Sequence, residues 1–77
     1  MPADPARDPR VDPKPGDVVR MWFRPPHDPW YRTVLERRGN AVFYESSTKP
    51  GERLVDDIGH WRLIRWSNQA EVIHAAD

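Results

Sequence analysis

Trp30-Tyr31-Arg32-Thr33-Val34-Leu35-Glu36-Arg37, then Arg38-Gly39-Asn40, then Ala41-Val42-Phe43-Tyr44-Glu45-Ser46, is the stretch that decides the fold class. Both outer runs are rich in β-branched and aromatic residues, which fit a pleated, half-buried surface. Gly39 and Asn40 tolerate the positive φ that a tight turn between antiparallel strands demands. Side chains alternate across a strand, so Val42 and Tyr44 share one face and Phe43 takes the other. The stretch reads as a β-hairpin.

Reading outward from the hairpin extends the pattern in both directions. Upstream, Pro15-Gly16-Asp17 is a turn, and Val18-Val19-Arg20-Met21-Trp22-Phe23 is a run of strand formers. Arg24-Pro25-Pro26-His27-Asp28-Pro29 separates this strand from the hairpin and must be a loop, because proline cannot donate to a central ladder. Downstream, the polar loop Ser47-Thr48-Lys49-Pro50-Gly51 leads to a short fourth strand around Arg53-Leu54-Val55. The period then changes: Ile58, Trp61 and Ile64 recur every third residue, the spacing of a helical turn's buried side. Asp56 or Asp57 is placed to cap it, Gly59 weakens it, and Ser67-Asn68 ends it. Glu71-Val72-Ile73-His74 supplies a last strand. The expected fold is mainly β, with about five short strands and one helical turn before the last.

Pro15-Gly16-Asp17-Val18-Val19-Arg20 looks like the entry of many SH3-like barrels, translation-factor and ribosomal modules among them. Trp61-Arg62-Leu63-Ile64-Arg65-Trp66, followed by Ala70-Glu71-Val72-Ile73, is similar to the ends of small phage and prophage proteins of uncharacterised function. The resemblance spans roughly residues 15–74 and implies a small SH3-like barrel, with the helical turn plugging one mouth. It does not extend to the acidic loop or the paired-aromatic groove of signalling SH3 domains, so it implies no recognition of proline-rich peptides.

Residues 1–14 read as an arm ahead of a domain over 15–77. Asp-Pro recurs at Asp4-Pro5, Asp8-Pro9 and Asp12-Pro13. Proline fixes its own φ and pushes the preceding residue out of the helical region. The expectation is an extended, mostly disordered segment, a solubilising tail rather than a docking peptide or a strap across the barrel.

At 77 residues the chain holds one domain, which buries only about 60% of the surface its unfolded form exposes. With no cysteine and four tryptophans, stability must come from aromatic packing rather than from disulfides. Trp61 and Trp66 are expected in the core, Trp22 and Trp30 either in the core or at a surface. Twelve basic and twelve acidic side chains cancel, which argues against a general polyelectrolyte binder. The segment Met1-Pro2-Ala3-Asp4-Pro5 has no apolar stretch of the secretory type, and no apolar run reaches the roughly 18 residues of a membrane span. The expected location is the cytoplasm of a bacterium or of an infected host cell.

Chemistry-bearing patterns are few. His27, His60 and His74 do not converge at any ligand spacing, His27-Asp28 being the best of the set, so no metal or other cofactor is expected. Ser46, Ser47, Thr48 and Ser67 sit in turns, where hydroxyls serve the local backbone, and no nucleophile elbow or phosphate loop is present. The chain is therefore not expected to be an enzyme. What remains is aromatic residues interleaved with arginine: Arg20, Trp22, Arg24, Trp30, Tyr31 and Arg32 form the expected binding set. Such residues dominate protein interfaces, and they also stack bases while neutralising phosphates. The leading expectation is a protein-interaction module, an accessory protein of a phage or mobile element that binds a host or phage protein. The alternative is a nucleic-acid-binding barrel using the Arg20–Arg38 region, where five arginines face Asp28 and Glu36. A third reading has an open sheet edge pairing two copies of the chain.

Overall fold

The computed structural model describes residues 7–22 and 28–76. Five strands form one antiparallel sheet: β1 (Val18–Met21), β2 (Trp30–Arg38), β3 (Ala41–Ser46), β4 (Leu54–Asp57) and β5 (Glu71–His74). Two helical turns, α1 (Ile58–Trp61) and α2 (Ile64–Ser67), lie between β4 and β5. The sheet order is β4-β3-β2-β1-β5, so the last strand returns beside the first. Among the described residues no ladder joins β4 to β5. The mainly β expectation therefore holds as a sheet with helical turns before its last strand.

The hairpin forms as its sequence dictates. Gly39 takes φ 55° in the turn, and Arg38 pairs with Ala41 across it. Val42 and Tyr44 are buried, while Phe43 lies on the other face. One irregularity breaks the register: Val34 pairs with Tyr44, but the next pair is Glu36 with Phe43, leaving Leu35 as a bulge residue. Before the bulge Trp30, Arg32 and Val34 share the inner face. After it, Arg37 comes opposite the buried Val42, while Glu36 joins Phe43 outside.

The inner face carries the core: Val19, Met21, Val34, Val42, Tyr44, Ile58, Trp61, Ile64 and Ala70, with Trp30 and Leu54 packed against it. Ile58, Trp61 and Ile64 present the expected buried side of the helical turns. The Asp57 carboxylate accepts from the Gly59 N–H, capping α1. Trp61 is fully buried and meets the Tyr44 ring at 5.4 Å and 59°, a tilted geometry that aromatic pairs favour.

Three expectations change. Trp66 is 67% exposed rather than in the core, with Arg65 over its ring at 4.1 Å. It lies two residues beyond the buried Ile64, about 200° around a helix, which turns it outward. Strand β1 stops at Met21, because Trp22 leaves the ladder to exchange bonds with Asn68: its N–H donates to the Asn68 carbonyl (2.8 Å), and the Asn68 amide donates to its carbonyl (3.2 Å). Phe23 to His27, most of the expected proline loop, lie outside the described residues.

The largest change concerns the arm. Residues 7–14 are not a loose tail but a strap laid on the domain, while the expectation for 1–6 lies outside the described residues. Asp8-Pro9-Arg10-Val11 forms a turn in which the Asp8 carbonyl accepts from Val11 and Asp12 (2.8 and 2.7 Å). Asp at the first turn position and proline at the second favour this geometry. Pro9 and Pro13 are buried. The Pro9 carbonyl accepts from the Trp61 indole at 3.0 Å, which is how a fully buried tryptophan satisfies its N–H. Arg62 donates to the Val11 carbonyl, Arg10 to the Ala70 carbonyl, and Arg37 to Asp12 and the Pro13 carbonyl.

Asp17 is the anchor of the strap. Its fully buried carboxylate accepts from Arg7 through Nη1 (2.6 Å) and Nη2 (3.0 Å), and from the backbone N–H groups of Lys14 (2.8 Å) and Ala76 (2.6 Å). Arg7 also donates to the Ala76 carbonyl. Burial alone pushes the carboxyl upward, but the Arg7 bond and the two backbone donors outweigh it and hold Asp17 below the ordinary carboxylate range.

Candidate binding cleft

Two groups of candidate residues emerge, on opposite faces of the sheet. Arg20, Trp22 and Tyr31 belong to the outer face, where Arg20 pairs with Tyr31 on one side and Glu71 on the other. Glu71 accepts from Arg20 at 2.6 Å and from the Trp22 indole at 2.8 Å, and Arg20 lies 5.3 Å from the Trp22 ring centre. The Arg20 bond, then the Trp22 bond, hold the Glu71 carboxyl below its ordinary range, and Glu71 in turn raises Arg20. The cluster thus pairs its two charges with each other, with the Arg20 Nε left as a buried donor without an acceptor among the described residues. Arg24 lies outside the described residues.

Trp30 and Arg32 are on the inner face and line a cleft with Tyr44, Ser46, Thr48, Lys49 and Leu54, of about 400 Å³. The register places Arg32 opposite Ser46 at the end of β3. The loop after β3 is built by local hydrogen bonds. Ser46 and Thr48 hydroxyls meet at 2.8 Å, the Lys49 N–H donates to the Ser46 carbonyl (3.0 Å), and the Gly51 N–H donates to the Glu45 carboxylate (3.1 Å). Tyr31 and Ser47 bracket the rim: the Tyr31 N–H donates to the Ser47 hydroxyl (2.9 Å), and the Ser47 N–H returns to the Tyr31 carbonyl (2.8 Å). Gly51, at φ 84°, completes the return to β4.

The Arg32 guanidinium lies 4.5 Å from the Tyr44 ring centre and 5.6 Å from that of Trp61. Its Nε and Nη1 are buried and have no hydrogen-bond partner among the described residues. Six other arginines meet acids: Arg7 with Asp17, Arg10 with Asp8, Arg20 with Glu71, Arg37 with Asp12, and both Arg38 and Arg53 with Glu36, while Arg62 and Arg65 donate to backbone carbonyls. Arg38 and Arg53 also flank the outer Phe43 ring. Among the described residues, Arg32 and Lys49 have no such ion pair, and no carboxylate lines their cleft.

Of the expected site residues, then, Trp30 and Arg32 converge in one cavity, and Arg20, Trp22 and Tyr31 do not reach it. Sequence proximity had grouped residues that strand alternation divides. Tyr44, Ser46, Thr48, Lys49 and Leu54 were missed as partners of Arg32, since only the β2–β3 register and the β3–β4 turn bring them there. Elsewhere, the exposed His60 meets Asp56 at 2.8 Å, His74 sits on the exposed β5, and His27 lies outside the described residues. Among the described residues, no three His, Cys, Asp or Glu side chains group closely enough to hold a metal ion, and no helix is long and apolar enough to cross a membrane. No family model, curated protein or solved structure matches the chain.

Proposed function

We propose that this chain is a non-catalytic interaction module that takes up an extended segment of a partner protein in the Trp30–Arg32–Tyr44 cleft. The observation that carries the reading is an arginine held in an open aromatic cleft with buried N–H groups that no acceptor among the described residues meets. Buried polar groups are paired in folded proteins, and exceptions tend to mark function. Tryptophan, tyrosine and arginine are also the residues on which protein-binding energy concentrates. Nucleic-acid binding is the weaker alternative: the formal charge is zero, and Arg20, Arg38 and Arg53 on the outer face are engaged by Glu71 and Glu36, which reduces what they offer a phosphate backbone.

The test is a displayed library of random peptides panned on the intact protein. Enrichment of peptides whose binding is lost on Arg32→Gln, with thermal melting of the variant within a few degrees of the parent, supports the reading. Peptides that bind Arg32→Gln equally well would sink it. So would tight binding of single-stranded oligonucleotides at low salt that weakens steeply as salt is added.

A further inference from the structure

A guanidinium is a planar fork of five donors with no acceptor of its own. In the cleft, Tyr44 and Trp61 offer ring faces to the Arg32 cation, which offsets part of its desolvation. Ring faces do not accept the in-plane N–H groups, however, and Nε and Nη1 remain buried without an acceptor. An unmet donor on a charged group is a larger cost than one on a neutral group. The second cation of the cleft, Lys49, comes from the loop that also presents the Ser46 and Thr48 hydroxyls. The cavity thus gathers two positive charges, two hydroxyls and the apolar surfaces of Trp30, Tyr44 and Leu54 around a space of about 400 Å³ without any acid.

We infer that the cleft is a carboxylate-binding site, in which one carboxylate of a partner polypeptide meets Arg32 and Lys49 while its adjoining residue rests on Trp30 and Leu54. This rests on the reading that a partner segment occupies the cleft, and it names the group that segment must bring. The planar fork of arginine matches a planar carboxylate through two parallel hydrogen bonds. Because Nε and Nη1 are covered in the free protein, occupancy turns the Arg32 side chain toward the mouth, and binding satisfies donors that the empty domain leaves unmet. Two cations in one cavity suit a single carboxylate. A polyanion would need cations in series, and the arginines nearby on the outer face are already engaged.

The experiment follows the arginine Nε–H and tryptophan indole resonances of the intact ¹⁵N-labelled protein during titration with four probes. They are N-acetyl-phenylalanine, its neutral amide, N-acetyl-glutamic acid α-amide, and inorganic phosphate. The expected result is a saturable shift of the Arg32 Nε–H and Trp30 indole signals with a carboxylate probe, at about millimolar Kd for so small a ligand, and none with the neutral amide. A response to N-acetyl-phenylalanine assigns the group to a chain terminus, and one to the glutamic acid amide assigns it to an acidic side chain; either supports the inference. Arg32→Gln should abolish the shift, and Lys49→Gln, at the rim, should weaken it about two- to fivefold. Equal response to the neutral amide, equal or tighter binding of phosphate, or persistence in both variants overturns it. Cleft-dependent peptides lacking a carboxylate would overturn the inference and leave the interaction module standing. Carboxylate binding without any cleft-dependent peptide would do the reverse.

Discussion

Replacing Asp17 with asparagine preserves shape and removes one charge, and the structure sets the scale of the effect. The buried carboxylate receives four N–H donors, two from Arg7 and one each from Lys14 and Ala76. Asparagine keeps one acceptor oxygen, turns an NH₂ group toward donors, and removes the negative charge that faces the Arg7 guanidinium. Breaking one side of a buried pair costs about 3–5 kcal/mol. For a domain of this length each kcal/mol lowers Tm by roughly 4–8 °C, so a fall of at least about 12 °C is expected by circular dichroism. The acid limb of stability should change as well. The unfolded carboxyl titrates near about 3.9, and in the folded protein Asp17 is held lower. Its contribution is complete above the unfolded value and is lost as pH falls toward the folded one. Melting measured from about pH 6 down to about pH 2 should therefore drop more steeply in the parent than in Asp17→Asn. Asp8 and Glu71, also held low by Arg10 and by Arg20 with Trp22, titrate in both proteins and cancel in the difference. A variant melting within about 4 °C of the parent, with a parallel acid limb, would refute the anchor.

Trp61→Phe removes the indole donor of the Pro9 carbonyl as well as core volume. A loss of about 3 kcal/mol is expected, with faster hydrogen exchange at the Val11 and Asp12 amides that close the strap turn; unchanged exchange there would detach the strap from Trp61. Gln69, the described non-glycine residue at positive φ (47°), precedes the buried Ala70, and Gln69→Gly should raise Tm by a few degrees through relief of about 0.5–1 kcal/mol. Trp66→Ser removes a largely exposed ring and should leave melting within about 0.5 kcal/mol of the parent; a larger loss would place that ring in a contact the fold does not explain.

How much was legible follows from the range of each interaction. The alternation of Val42, Phe43 and Tyr44 and the triplet Ile58, Trp61, Ile64 are local periods, and both reached the core as read. Trp66 carried a local signal too, since a residue two beyond Ile64 faces away from it, but its bulk argued for burial. The strap was hidden for a different reason. Asp-Pro repeats signal an absence of helix and strand, and what orders residues 7–14 is a carboxylate at Asp17, an indole at Trp61 and a backbone group at Ala76. The candidate site was half legible: Trp30 and Arg32, two apart on a strand, share a face by simple alternation, whereas Tyr31 does not. Lys49 and Thr48 enter only through the loop that folds beside them.

The bulge at Leu35 gives β2 two clients. Its first half faces the cleft, its second half reaches the strap through Arg37, and one extra residue of backbone moves the inward positions from even numbers to odd ones. Leu35 is itself exposed and its side chain is replaceable. Deleting it would close the bulge and leave the partners as they are, Glu36 beside Phe43 and Arg37 opposite Val42. Deleting Glu36 and Leu35 together would instead turn Arg37 outward, away from Asp12 and Pro13. Among related sequences, this is the point of β2 that should vary freely in kind and accept the loss of a single residue.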